Sequence, residues 1–312
     1  MDKIAFLFPG QGAQIVGMGR EVYDTYKVAR DFFDQAAAEL DFDLKALVFN
    51  GPEQKLSQTE YTQPALVAVE VMLLKALAEA GIKPDVVAGL SLGEYTALVA
   101  SGAIDELEAV KLVGKRGKIM ASALPIGTTT MTAILGMEAS ELEAVCEEVG
   151  HTGVVEIANY NCPGQLVIGG EIEAVKEASE LAIAKGARKV IPLNVSGAFH
   201  TSLLKGASVK LRDELEQVMF SDLEIPVVFN QTANYQNGLI VDLLETQVYS
   251  AVRFQESIEL MIKDGVDTFI EVGPGKSLSG FVKKIDRKLR IYQVEDVAGI
   301  EALIEQLGGS GQ

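Results

Sequence analysis

Val86-Val-Ala-Gly-Leu-Ser-Leu-Gly-Glu-Tyr95 carries the strongest structural signal in the chain. Val86 to Gly89 is a short apolar run bounded by turn signals, which reads as a buried strand. Glu94 to Ser101 reads as a helix. Between them, Gly89-Leu90-Ser91-Leu92-Gly93 has the form GxSxG. In a strand–turn–helix context the glycines permit a sharp reversal and leave the serine hydroxyl exposed at a helix N-terminus, the geometry of a nucleophile elbow. The competing reading is a glycine-rich loop whose serine caps the helix.

Elsewhere, Ile4–Phe8, Val227–Asn230, Thr268–Val272 and Arg290–Val294 also read as strands, each next to a helical pattern. Thr62 to Gly81 reads as a helix, with Thr62 able to cap it, Pro64 in its first turn and Gly81 stopping it. The alternation predicts an α/β domain with a mostly parallel sheet. The middle of the chain differs. Thr130–Leu135 (strand), Ala139–Val149 (helix), Val154–Ala158 and Gln165–Ile168 (strands across Pro163-Gly164), Glu171–Lys185 (helix) and Lys189–Leu193 (strand) follow the β-α-β-β-α-β order of a ferredoxin-like unit. The expected organisation is therefore a large α/β domain from 1–125 and 197–307, interrupted by a small insert at 126–196. Residues 308–312, Gly-Gly-Ser-Gly-Gln, read as a flexible tail.

The 312 residues are 48% hydrophobic and 23% charged, an ordinary globular balance. Lys+Arg number 27 against 44 Asp+Glu, a net −17, which argues against general nucleic-acid binding. Two cysteines, Cys146 and Cys162, form neither a disulfide framework nor a CxxC metal pair, and a reducing cytoplasm is the expected setting. The apolar run Ile4–Phe8 is too short for a signal-peptide core. The most apolar stretch, Pro64–Gly81, is interrupted by Glu70 and Lys75, so no membrane span is expected.

A serine nucleophile needs a base, and the chain has two histidines. His151 lies in a polar connection inside the small insert and reads as a surface residue. His200 follows Gly197-Ala-Phe199 where the chain re-enters the large domain, after a strand, in a loop of the kind in which α/β sheets place their sites; a packed or capping histidine is the alternative. Phe8-Pro-Gly-Gln-Gly12 closes the first strand but has Ile15 where a dinucleotide loop needs glycine, and Gly275-Lys-Ser277 lacks the first glycine of a phosphate loop. The first of these turns offers backbone N–H groups to an oxyanion, or is simply a tight turn. Arg116, in Lys115-Arg-Gly-Lys118, reads as a solvated charge unless the group transferred is itself anionic, when a guanidinium would grip a carboxylate with two prongs.

Taken together, Phe8-Pro-Gly-Gln-Gly12, Gly89-Leu-Ser-Leu-Gly-Glu-Tyr95, Arg116-Gly117 with Met120, Asn159-Tyr-Asn-Cys-Pro-Gly-Gln165, Gly197-Ala-Phe-His200 and Gln247-Val-Tyr-Ser-Ala-Val-Arg-Phe254 resemble the malonyl-CoA:acyl-carrier-protein transacylases of bacterial fatty acid synthesis, from about residue 3 to 305. The resemblance implies an α/β-hydrolase-like domain with a ferredoxin-like insert. It implies Ser91 as the nucleophile, His200 as its base and then acid, the N–H groups of Gln11 and Leu92 as oxyanion donors, and Arg116 as the clamp for the malonyl carboxylate. The backbone carbonyl of Gln247 would orient His200 in place of an acid, making a dyad. Phe199 would crowd a branched acyl group and favour malonyl over methylmalonyl. Leu90 stands where the family usually has histidine.

The resemblance further implies malonyl-CoA and acyl carrier protein as partners, the CoA thioester being a substrate, with no cofactor, no metal and a monomeric state. Carrier proteins are acidic, as is this chain. Residues 276–290 offset that locally, with six basic residues against Asp286, among them Lys283, Lys284, Arg287 and Lys288, and Lys185, Arg188 and Lys189 add a smaller cluster; a solvated helix face is the competing reading. The alternatives are a polyketide-pathway acyltransferase and a serine thioesterase or esterase.

Overall fold

A computed structural model describes residues 3–195 and 197–308 of the chain. Its strands, in chain order, are β1 (Ile4–Phe8), β2 (Val86–Gly89), β3 (Thr129–Leu135), β4 (Val155–Cys162), β5 (Gln165–Glu171), β6 (Lys189–Pro192), β7 (Val227–Phe229), β8 (Asn234–Tyr235), β9 (Thr268–Val272) and β10 (Arg290–Val294). One sheet runs β10-β9-β1-β2-β7-β8, parallel throughout except for the β7–β8 edge. The other runs β4-β5-β3-β6 and is antiparallel. It comes from residues 129–192 with two helices between its strands, the predicted β-α-β-β-α-β order.

The parallel sheet is covered on both faces, and its sequence shows why. In β1, Phe6 and Phe8 join one apolar cluster while Ala5 and Leu7 join another; in β2, Val87 points one way and Val86 and Ala88 the other. Side chains alternate at period two, so a run apolar at every position must lie between two layers. The antiparallel sheet has its own core with the two helices that pack on it, built on Ile134, Leu142, Val145, Ile157, Ile168 and Val175.

The helix expected from Thr62 spans Thr59–Glu79. Thr62 is inside it, and its hydroxyl donates to the carbonyls of Leu56 and Gln58. Pro64 is the sixth helical residue, beyond the first turn, where its missing N–H forfeits a bond to the Glu60 carbonyl. Close packing compensates. The helix Glu106–Ala121 crosses here through Gly114 and Gly117, and a Cβ on Gly117 would sit 2.8 Å from the Thr59 carbonyl oxygen. Gly81, at φ 77°, ends the helix as expected, with Ile82 N–H reaching back to the Leu77 carbonyl. By length and composition this helix is apolar enough to cross a bilayer, but most of it is core; Glu70 is fully buried and bonded to Thr96. The helix Val297–Gly308 takes in Gly308, the first residue of the expected tail, and 309–312 lie outside the described residues.

Candidate active site

The turn after β2 is as tight as its glycines allow. A Cβ on Gly89 would lie 1.9 Å from the carbonyl carbon of Gly93, and one on Gly93 would lie 2.0 Å from the Phe8 carbonyl oxygen at the end of β1. Gly10 likewise abuts the Leu90 carbonyl, so the loop after β1 lies against the elbow. Ser91 is thereby forced to φ 53°, a conformation costing an L residue roughly 1–2 kcal/mol. The helix Gly93–Ala100 then begins directly beneath it.

Ser91 Oγ lies 2.6 Å from His200 Nε2. His200 is buried and also left-handed, at φ 60°. Its Nδ1 faces the Gln247 carbonyl oxygen at 2.9 Å, and its N–H donates to the Val248 carbonyl. With Nδ1 donating its proton to a carbonyl, Nε2 is the unprotonated nitrogen facing the serine. Burial, and then the charge of Arg116, depress the His200 pKa to about 4, so the imidazole is neutral at pH 7. A neutral imidazole bonded to a serine hydroxyl can take its proton.

Arg116 is not a solvated charge. It is 1% exposed, on the inner face of Glu106–Ala121, where the Gly117 approach brings it to Gln63. Its Nη1 donates to Gln63 Oε1 at 2.9 Å, and its Nη2 to Gln247 Oε1 at 3.1 Å and to Ser91 Oγ at 3.5 Å. The ring of Tyr95 lies under the guanidinium, 5.2 Å away. Glu94, buried beneath, faces this cation; burial raises its carboxyl to about 8 against the opposing pull of the Asn230 N–H, the Arg116 charge and the Gln247 amide. A fixed cation thus lies beside the serine hydroxyl inside the protein.

The N–H groups of Gln11 and Leu92 have no intramolecular acceptor among the described residues, whereas the Ser91 N–H is taken by Asn230 Oδ1 at 2.6 Å. A cavity of about 290 Å³ opens over Ser91 and His200. One wall is the large unit, with Gln11, Leu90 and Phe281. The other comes from the antiparallel sheet, with Met131, Asn159, Asn161 and Val167. Phe199, 7% exposed, closes the side next to His200.

The remaining predicted residues fall apart from this centre. His151 is on the surface, beside Glu148 and Glu177. Lys283, Lys284, Arg287, Lys288, Arg188 and Lys189 are all exposed. The helix Ser277–Ile285 carries the first two, and its Ser277, Leu278 and Phe281 line the cavity. Lys284 Nζ reaches Gln165 Oε1 at 2.8 Å across the cleft, the Gly164 carbonyl accepts from Gly136, and Gly136 abuts Arg188. The two basic clusters therefore share one rim.

Asn230 and Gln63 were not singled out from the sequence, and Glu94 had no role there. Asn230 immediately follows the three-residue β7 instead of closing a longer strand, and its side chain turns into the elbow. Its place at the carboxyl end of a parallel strand was the available signal. For Gln63 the signal was a polar residue inside an apolar helix.

The family model described as acyl transferase domain matches residues 5–300. The chain is 47% identical to the malonyl CoA-acyl carrier protein transacylase of Bacillus subtilis (strain 168) over 310 residues, 98% of each chain. It is similar to the crystal structure of malonyl CoA-acyl carrier protein transacylase from Clostridium perfringens, at a TM-score of 0.96 and 44% identity, over 99% of this chain and 98% of that one. It is also similar to a malonyl-transacylase in complex with its type II PKS acyl-carrier protein, at a TM-score of 0.95 and 39% identity, over 97% and 99%.

Proposed function

The chain belongs to the acyl transferase domain family, and from that premise we propose that it moves the malonyl group of malonyl-CoA to the phosphopantetheine thiol of an acyl carrier protein, for fatty acid synthesis, through a malonyl ester on Ser91. The observation that carries this reading is the placement of one buried cation, Arg116, 3.5 Å from the same hydroxyl that bonds to His200. A plain esterase site has no use for that charge, whereas a malonyl group ends in a carboxylate two carbons from its reacting carbonyl.

The steps follow from the geometry. His200 Nε2 takes the Ser91 proton as Oγ attacks the thioester carbonyl. The N–H groups of Gln11 and Leu92 stabilise the oxyanion, and Arg116 holds the carboxylate. Collapse expels CoA as its thiolate, which His200 protonates. In the second half-reaction the carrier's thiol gives its proton to His200 and attacks the ester, and Ser91 leaves with that proton. Splitting the transfer this way gives ping-pong kinetics. The Gln247 carbonyl fixes the imidazole tautomer throughout, as the acid of a triad would. Asn159, Asn161 and Gln165 give the small-unit wall amide groups for the amide-bearing pantetheine arm. The shared basic rim at Lys283, Lys284, Arg287, Lys288, Arg188 and Lys189 receives the acidic carrier. The enzyme acts as a monomer in the cytoplasm and needs neither metal nor cofactor.

The similarity to a transacylase seen with a polyketide carrier supports a second reading, in which the acceptor belongs to that pathway. Presenting malonyl-loaded protein with both carriers separates the two: the account expects faster discharge to the fatty-acid carrier, and a preference for the polyketide carrier would reverse the assignment. Rapid release of free malonate without any carrier would instead make the protein a thioesterase.

A further inference from the structure

The backbone of Ser91 is gripped from both sides by side chains that take no part in the steps above. Its N–H donates to Asn230 Oδ1 at 2.6 Å, and its carbonyl accepts from Gln247 Nε2 at 2.9 Å. The other end of the Asn230 amide donates from Nδ2 to the Gly89 carbonyl at 2.6 Å, so one side chain spans the turn that leads into the serine. Glu94 joins the two grips. Its Oε2 accepts from the Asn230 N–H at 2.6 Å and its Oε1 from Gln247 Nε2 at 3.0 Å. Glu94, Asn230 and Gln247 are each at most 1% exposed.

A non-glycine residue at φ 53° persists only where its surroundings over-determine it. Here both of its backbone polar groups are claimed, and both claims converge on one buried carboxyl. The residue types fit their places. Asn230 must offer an acceptor to one N–H and a donor to one carbonyl, which an amide does and a carboxylate does not. Each Glu94 carboxyl oxygen meets an N–H donor, and an amide in its place would set an NH₂ group against one of them. The same arrangement withdraws the Ser91 N–H from oxyanion binding.

We propose that Glu94 and Asn230 are positioning residues that, with the Gln247 side chain, clamp the Ser91 backbone in its left-handed conformation and so aim its hydroxyl at His200. The proposal rests on the reading of Ser91 as the nucleophile, and it concerns the reactivity of that hydroxyl whatever acyl group it receives.

The isosteric substitutions N230D and E94Q keep the size and invert one hydrogen-bonding group each. The experiment measures two rates in both variants. One is malonylation of Ser91 by malonyl-CoA, from quenched-flow intact mass. The other is labelling of Ser91 by diisopropyl fluorophosphate, which is neutral and has no carboxylate for Arg116. Misplacing a reacting group by about 1 Å costs roughly 100-fold. The expected result is a fall of that order in kcat for malonylation, with KM for malonyl-CoA within about threefold of the parent, and a parallel fall in labelling. Should N230D not fold, E94Q carries the test. Labelling at the parent rate in the folded variants, or a raised KM with kcat intact, would overturn the clamp. A parent protein that labels at Ser91 but takes no malonyl group would count against the proposed reaction, while the labelling rates of the variants would still decide the clamp.

Discussion

At Ser91 and His200 the chain spends backbone strain to make one hydrogen bond. Both are left-handed, and among the described residues Ala233 is the single other non-glycine position with positive φ. The pair is tuned by Arg116, which serves two ends: it faces the hydroxyl, and after burial it is the second cause of the depressed His200 pKa. This gives a signed expectation. In the parent, loading by malonyl-CoA should be insensitive to His200 protonation from pH 8 to about 5.5 and show its acid limb near pH 4. In Arg116→Gln the cation that disfavours imidazolium is gone, so His200 titrates at higher pH and loading fails at higher pH; stopped-flow CoA release across pH reads the limb. An acid limb that does not move would contradict the coupling. Arg116→Ala should also slow malonyl loading by about 10- to 100-fold, the worth of a hydrogen bond to a charged group, and speed loading from acetyl-CoA. Malonyl preference retained in that variant would refute the carboxylate clamp. Much of this scale was legible in the sequence, because a serine elbow and two histidines leave few pairings. The burial of Arg116 was not, since Lys115-Arg-Gly-Lys118 has the composition of a solvated turn. Its setting depends on Gly117 and on a helix some fifty residues earlier.

At the scale of elements, the elbow exists because three backbone segments meet without side chains between them. Gly93 is the tightest of these contacts that involves a different strand, its missing Cβ leaving room for the Phe8 carbonyl at the end of β1. Gly93→Ala must therefore part β1 from β2 or shift the helix that follows. The expected cost is about 3 kcal/mol of stability, at the upper end for a single substitution, with loss of Ser91 reactivity. Thermal denaturation with a labelling assay checks it, and a stable, reactive Gly93→Ala protein would contradict the packing. Strands and turns were readable because short apolar runs bounded by glycine and proline turns are local signals. The start of Thr59–Glu79 was misread because Thr62 and Pro64 make a persuasive local helix start. Tertiary packing against Gly114 and Gly117 overrides it, and the Pro64 defect faces that crossing instead of a free end. Asn230 fell inside a plausible strand, and only the folded chain shows its amide turning back 139 residues to Ser91.

At the scale of the whole molecule, the chain carries a net charge of −17, and the carrier proposed as its partner is expected to be acidic as well. Two distant stretches contribute exposed basic residues, and the Lys284–Gln165 bond ties one of them to the other side of the cleft. Sequence composition revealed both clusters but not that they adjoin. Reversing charge at Lys283 and Lys284 together should raise KM for the carrier protein by roughly tenfold at low salt, less at high salt, with malonyl-CoA loading unchanged. Equal effects on the two half-reactions, measured separately, would sink the docking role. The cavity between the two units was likewise invisible from either segment alone, since its walls come from residues near 10, 90, 160, 200 and 280.

The central claim is that Ser91 carries the acyl group between two thiols. The most direct measurement is an intact mass spectrum of the protein after mixing with malonyl-CoA and no carrier, beside Ser91→Ala. The account predicts one malonyl adduct on the parent and none on the variant, with the adduct discharged when carrier protein is added. An adduct that survives in Ser91→Ala, or a parent that releases CoA while remaining unmodified, would contradict it.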